Sequence, residues 1–304
     1  MAGQLQFGSS ENASMKALIA TDGSHNAGEA AKMFATLPHA GPLEVHILTV
    51  IYMPPDDSGG MAYAWLPEFI QTEEARAKEG FEKIASLFVG DDVVTNHLIC
   101  HGHVGHTITE EARRAGVDLI VIGAQGHSAI ARMLLGSTSD FVATQACCSV
   151  LAVRSDKVPD TTSPMRVVIA YDGSEPSRLA VDEFVKSSWG PKCDVHLVHV
   201  LPQGSMFARA TSQDIDAARK DGKAMIEEVA QRLKPAVSNV ATHILEGDSI
   251  GQVITEFAQE NGVDLVMLGD TGRSAISQLF LGSVTRYVLR HADCSVWIAR
   301  KPRC

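Results

Sequence analysis

The 304-residue sequence has no apolar run approaching the roughly 20 residues that a membrane-spanning helix requires. Its opening segment, MAGQLQFGSSENASMK, lacks the basic-then-apolar pattern of a secretory leader. No membrane insertion is expected, and the cytoplasm is the default compartment. Basic charge is also scarce: Lys and Arg number 26 against 36 Asp and Glu, a net charge of −10. Nucleic-acid binding through broad phosphate neutralisation is therefore not expected, and an anionic ligand would have to be held by local geometry. There is no CxxC pair among the six cysteines, Cys100, Cys147, Cys148, Cys193, Cys294 and Cys304. A chain this long needs no disulfide framework, so reduced thiols are expected, with Cys147 and Cys148 read as core-edge neighbours rather than a redox pair. The GxxxxGK[ST], GxSxG and HExxH patterns are absent as well, which leaves dedicated catalysis without support.

What is present is a globular mixture, 45% hydrophobic and 20% charged, in a chain long enough for two domains. The second half repeats the first. KALIATDGS at 16–24 returns as RVVIAYDGS at 166–174, and EVHILTV at 44–50 returns as DVHLVHV at 194–200, both at an offset of 150 residues. From His97, HLICHGHVGHTITEEARRAGVDLIVIGAQG matches HILEGDSIGQVITEFAQENGVDLVMLGDTG from His243 without a gap, at an offset of 146. The halves have thus diverged in the segment after Val50. These boundaries predict domains at 14–154 and 165–301, joined by a Pro/Ser/Thr/Asp-rich linker at 155–164.

Within each repeat, β-rich runs alternate with helical periodicity. In the first half, strands are expected at 16–21, 45–52, 93–100, 119–122 and 150–153. Helices are expected at about 26–37, across TEEARAKEGFEKIASLF, at 107–115 and from about Ser137. The second of these should bury Ala77, Phe81, Ile84, Ala85 and Phe88. Alternating strands and helices give an α/β fold, two tandem doubly wound, mainly parallel five-stranded sheets. Ligands of such sheets bind beyond the strand carboxyl ends, where strand order reverses.

One loop there carries a specific pattern. Gly123-Ala124-Gln125-Gly126 is followed, nine residues on, by Gly136-Ser137-Thr138 at a helix start, and the second half repeats it as Gly269-Asp270-Thr271-Gly272 and Gly282-Ser283-Val284. Glycine permits positive φ and close backbone approach, and a Gly-Ser helix start aims N–H groups at an anion, so the pattern reads as a phosphate cradle that needs no lysine. His127, Arg132 and Arg273 are the nearby candidate cations. Doubled in this way, the pattern resembles the G-x2-G-x9-G-[ST] signature of ATP-binding universal stress proteins, and the resemblance covers nearly the whole chain. It implies an adenine nucleotide alpha hydrolase-like fold that binds ATP, or ADP or AMP, with Mg²⁺ carried on the phosphates. It places Asp22 and Asp172 beside adenine and ribose, and the backbone of Val50 and Val200 against adenine. An Asp-Gly-Ser before a helix is also ordinary N-cap or turn chemistry.

The resemblance further implies pairing through the last strands, here 150–153 and 296–299, so that the two halves form an intramolecular pseudo-dimer with separate sites; it also allows a further homodimer. The function expected is a nucleotide-binding stress or signalling module whose occupancy modulates assembly or partner binding. A slow ATPase, a nucleotidyltransferase-type enzyme and an adaptor with nucleotide as folding cofactor are the alternatives. The cluster Cys100-His101-Gly102-His103-Val104-Gly105-His106 suggests a metal site or the HxGH element of nucleotidyltransferases. It follows the third strand rather than the first, and its repeat counterpart lacks the histidines, so a solvated loop is expected and no metal is assigned. His97 and His243 are expected on strands packed under a helix.

Overall fold

The computed structural model describes residues 14–39, 41–53, 66–124, 135–154, 163–189, 192–203, 211–272 and 281–302. The first half runs β1 (Met15–Thr21), α1 (His25–Thr36), β2 (Leu43–Tyr52), α2 (Leu66–Ala85), β3 (Val93–Gly102), α3 (Val104–Ala115), β4 (Leu119–Gly123), α4 (Ser137–Gln145) and β5 (Ser149–Val153). The second half repeats this order as β6 (Met165–Ala170), α5 (Glu175–Lys186), β7 (Cys193–Pro202), α6 (Ser212–Leu233), β8 (Asn239–Gly247), α7 (Ile250–Glu260), β9 (Leu265–Gly269), α8 (Ser283–His291) and β10 (Ser295–Ala299). No described helix is long and apolar enough to cross a membrane.

The two expected sheets are joined into one ten-stranded sheet of order β3-β2-β1-β4-β5-β10-β9-β6-β7-β8. Pairing is parallel within each half, and the halves meet in a single antiparallel pair, β5 with β10, in which Val296 faces Ala152, Trp297 faces Leu151 and Ile298 faces Val150. The continuous apolar runs of the central strands follow from this placement, because helices cover both faces. One core layer holds Met33 and Phe34 of α1, Ile84 of α2, Phe184 of α5 and Ile226 of α6; the other holds Ile108 of α3, Val142 of α4, Ile254 of α7 and Val288 of α8. Both layers run through the seam between halves. The buried side of α2 follows the expected stripe, with Ala77 and Ile84 buried and Phe81 and Ala85 packed at the margin.

Register exposes one correction to the repeat. Ile47 pairs with His97 in the first half, but the equivalent Leu197 pairs with Thr242, not His243. The second half therefore holds one extra residue between β8 and α7, and the gapless match shifts by one along the strand. Because a one-residue shift turns a side chain to the other face, His97 stacks on Phe81 of α2 at 4.5 Å, whereas His243 packs against Phe257 of α7 at 4.8 Å and lies 3.1 Å from His196. Burial lowers the pKa of all three imidazoles, joined at His97 by Lys78 and at His243 by His196; at His196, Arg166 also lowers it while Asp194 works against the shift. The expectation of reduced thiols also needs correction: Cys100, Cys148, Cys193 and Cys294 are free, but Cys147, in the tight turn between α4 and β5, is disulfide-bonded.

The seam is polar as well as apolar. Glu183 of α5 accepts hydrogen bonds from Ser149 Oγ of β5 at 2.7 Å and from Trp297 Nε1 of β10 at 2.6 Å. Burial pushes its carboxyl up to about 7, aided by Asp118 and opposed by those two hydrogen bonds and Lys186. Arg290 of α8 meets Asp140 of α4 across the seam at 3.0 Å.

Two outcomes are expected. Cleavage at a protease site inserted near Pro159, with reductant present so that the disulfide of Cys147 plays no part, should leave the halves associated, because interface and not tether holds them; free half-length domains on size exclusion at low concentration would overturn this. The second outcome concerns Glu183. Its folded pKa lies above the ordinary 4.5, so the folded state holds the proton more tightly; the stabilisation is complete below about 4.5 and is lost as pH rises to about 7. The loss is on the order of 3 kcal/mol. Urea unfolding at pH 5 and pH 8 should show Glu183→Gln gaining on the wild type at the higher pH, and an equal gap at both would rule out the shifted carboxyl.

Candidate functional site

In each half β1 or β6 lies between two neighbours reached by opposite crossovers, β2 and β4 in one case and β7 and β9 in the other. The cleft beyond those carboxyl ends is where such sheets bind ligands. In the second half the cleft is a cavity of about 430 Å³, within the size range of small-molecule sites. Asp172, Val200, Gly269, Gly272, Gly282, Ser283 and Val284 all line it, so every second-half residue expected from sequence comes together there except Arg273. Arg273 lies outside the described residues, as do Gly126, His127 and Arg132 of the first half. The remaining first-half residues occupy equivalent places: Asp22 follows β1, Val50 lies near the end of β2, Gly123 ends β4, and Gly136, Ser137 and Thr138 open α4.

The loop between strand and helix has both feet tied. Gly282 N donates to Asp270 O at 2.8 Å, and Thr285 Oγ1 donates to Gly269 O at 2.7 Å. The first half matches bond for bond, with Gly136 N to Ala124 O at 2.8 Å and Ser139 Oγ to Gly123 O at 2.7 Å. Ser139 and Thr285 were missed at the sequence level, although a hydroxyl in the first turn of both helices was the available signal.

Of the two roles expected of glycine, positive φ is absent from the described signature positions. Positive φ falls at Gly23 and Gly173, in the two Asp-Gly-Ser turns, and at none of Gly123, Gly136, Gly269, Gly272 or Gly282. Crowding is the reason for glycine instead. A Cβ on Gly269 would lie 2.6 Å from the carbonyl carbon of Pro176 in α5, and one on Gly282 would lie 3.1 Å from Thr271 Cα. At Gly272 the nearest group is Asp172 Oδ2, 3.3 Å from an added Cβ.

The aspartates are turn residues rather than N-caps. Asp22 Oδ1 accepts from Ser24 N at 3.0 Å and Asp172 Oδ1 from Ser174 N at 2.9 Å, while Ser24 and Ser174 cap α1 and α5. By contrast Gly136 and Gly282 cap α4 and α8 without a side-chain hydrogen bond, and the first turn of α8, Ser283 to Thr285, lines the cleft. Apolar walls come from Val198 and Val200 of β7, Ile250 and Ile254 of α7, Leu268 and Leu281. Tyr171 and His199, which sequence reading left out, also line the cavity. His199 Nδ1 lies 2.8 Å from Tyr171 O, and Gly222 of α6 leaves room for its ring, since a Cβ there would come within 2.8 Å of Cδ2. The histidine cluster at the end of β3 does not converge among the described residues: His101 meets Glu74 at 3.6 Å, and no metal-binding group of three or more His, Cys, Asp or Glu occurs among them.

Comparison with known proteins agrees with this architecture. A universal stress protein of Archaeoglobus fulgidus superposes with a TM-score of 0.67 at 21% identity, covering 95% of this chain and 97% of its own. A functionally unknown protein of Pseudomonas aeruginosa gives 0.60 at 16%, covering 94% and 92%. In sequence, the chain is 25% identical to a universal stress protein of Methanocaldococcus jannaschii over 45% of this chain and 83% of the relative. It is 27% identical to one of Mycobacterium tuberculosis over 67% of this chain and 65% of the relative. The family model described as universal stress protein family matches twice, at residues 14–154 and 164–300. With both halves matched and the fold shared from end to end, the chain belongs to the universal stress protein family as a tandem of two such units.

Proposed function

We propose that the protein is an adenine-nucleotide-binding module of stress response or signalling, which takes ATP, ADP or AMP and whose occupancy modulates its assembly or its partners. The observation that carries this reading is the second-half cavity, where residues from the ends of three strands and the start of α8 surround one space. Its two ends differ in chemistry. Val198, Val200, Ile250 and Ile254 offer an apolar slot suited to a flat base, and the uncapped start of α8 beside Gly272 and Gly282 offers backbone N–H groups suited to phosphate.

The residues fit the group. A nucleotide's phosphates need close backbone approach, and the positions at the helix end are those where a Cβ would crowd the loop. Among the described lining residues Asp172 is the only one with formal charge at neutral pH, so phosphate binding rests on N–H groups and the Ser283 hydroxyl, with Arg273 and, in the first half, His127 as the cations proposed from sequence. Mg²⁺ would be held mainly by phosphate oxygens. When bound it would neutralise phosphate charge near Asp172. The first-half site is proposed to work in the same way through Asp22, Val50, Gly123, Gly126, Gly136, Ser137 and Thr138. Binding rather than chemistry is the reading favoured, since the sequence carries none of the GxxxxGK[ST], GxSxG or HExxH patterns.

Gly272→Ala keeps an ordinary φ and so should fold, but its methyl, 3.3 Å from Asp172 Oδ2, would stand where the backbone is proposed to meet ligand. Isothermal titration with ATP should show second-half affinity about tenfold weaker, a change of about 1.4 kcal/mol. Unchanged affinity and stoichiometry in a variant with normal thermal unfolding would remove the assignment. ATP affinity should also fall in excess chelator, and equal affinity with and without it would exclude Mg²⁺.

A further inference from the structure

The two halves are wired to each other through a pair of arginines. The residue after β5, Arg154, and the residue after β10, Arg300, each cross the seam and donate to the C-terminal carbonyls of the other half's site helix. Arg154 Nη2 reaches Leu289 O and Arg290 O of α8 at 3.4 and 3.3 Å. Arg300 Nη1 and Nη2 reach Ala146 O and Ala143 O of α4 at 2.6 and 2.8 Å. A cation at a helix C-terminus suits its dipole, so each is a cross-domain cap. Arg300 is in addition joined to a site loop of its own half, through the residue after the strand-end glycine. Its Nε lies 3.1 Å from Asp270 Oδ2, both side chains being almost wholly buried, whereas the equivalent position in the first half is Ala124.

Resting on the nucleotide reading above, we propose that Asp270 and Arg300 are positioning residues that couple the two sites, the second-half loop being linked to helix α4 of the first half. Every step of the path is a short polar contact or a rigid element. Thr271 lines the cavity, and its neighbour Asp270 holds the α8 start through its carbonyl and Arg300 through its carboxylate. Arg300 holds the last turn of α4, whose first turn carries Ser137 and Thr138 of the other site. A ligand that draws the backbone of Thr271 and Gly272 toward itself shifts the carboxylate against a guanidinium that cannot leave, because its other donors are fixed on α4. Buried and pre-paired groups move together or not at all, since leaving either charge uncompensated in this seam is strongly unfavourable. Occupancy of the second half therefore changes the order of α4, and by linkage occupancy of the first half changes the affinity of the second.

The test is hydrogen exchange of the full chain with Mg-ATP as the probe. The first-half site is first disabled by Ser137→Glu, which sets a carboxylate where phosphate is proposed and suits a helix start. Saturating Mg-ATP should then slow exchange around β9 and the start of α8, and also in α4, about fivefold or more. Asp270→Ala, which copies the natural Ala124 arrangement, should keep the slowing in the second half and abolish it in α4; Asp270→Asn is read in the same way should the alanine variant not fold. Protection of the second half with α4 unchanged overturns the coupling and leaves nucleotide binding intact, as does an α4 response that persists in the Asp270 variant. Protection of neither region removes the nucleotide reading and the coupling with it.

Discussion

The antiparallel pairing of β5 with β10 is the contact on which the rest of the molecule depends. All five residues of each strand are buried, and a half alone would leave such a strand as an apolar edge, a template for aggregation. Covering one with the other gives both core layers a continuous floor, with Trp297 set between Leu151 on the partner strand and Trp189, 5.1 Å away. Burial of a side chain such as Leu151 or Ile298 contributes about 1.5–3 kcal/mol, so a few residues at this seam match the whole net stability of an ordinary domain. The same pairing sets direction. Because the halves run oppositely, the carboxyl ends of β1 and β4 point one way and those of β6 and β9 the other, and the two clefts are forced apart onto opposite edges of one sheet.

Duplication preserved what the backbone needs and let side chains diverge where no backbone contact depends on them. The ties between strand end and helix start are the same in both halves to within a few tenths of an ångström. At the seam and in the cleft, positions related by the repeat differ in charge and shape: Glu183 stands opposite Met33, Asp270 opposite Ala124, His199 opposite Thr49 and Tyr171 opposite Thr21. Glu183 is the clearest case. Buried acid at an apolar repeat position is unfavourable in isolation, and it persists here because Ser149 and Trp297, from the two seam strands, both donate to it.

Much of this was legible in the sequence because it depends on local patterns. The repeat, the alternation of apolar runs and the Gly-Ser helix starts fixed the element order, the doubly wound class and the gathering of Asp172, Val200, Gly272 and Ser283 in one cleft. Other features were not legible, for reasons that are physical. The shift of β8 against β7 is a matter of pairing, and a one-residue insertion in a loop leaves no trace in an alignment that tolerates mismatches; its effect, turning His243 from α6 toward α7, appears only once the strands are in register. The glycines were read as serving positive φ and close backbone approach; at Gly269 and Gly282 the approach is to the protein's own backbone, and crowding by Pro176 of α5 cannot be read from neighbours in sequence. His199 and Tyr171 were overlooked because the first half places threonines there, so no doubled signal existed.

Helix starts differ within the chain. In the same chain α1, α5 and α6 begin with Ser24, Ser174 and Thr211, whose hydroxyls bond the first turn, and such a cap stabilises a helix by about 1 kcal/mol over a residue that cannot supply it. At α4 and α8 the fold uses glycine, although the backbone there is ordinary extended chain that serine or aspartate adopts without strain. Crowding by the loop accounts for the missing Cβ at Gly282, and glycine leaves the helix start without a cap hydrogen bond from its own side chain. The first turn of α8 borders the cavity beside the apolar slot, and on the proposed reading an anionic ligand bound there would offset the missing cap and rigidify the loop on which the seam contacts of Asp270 are built.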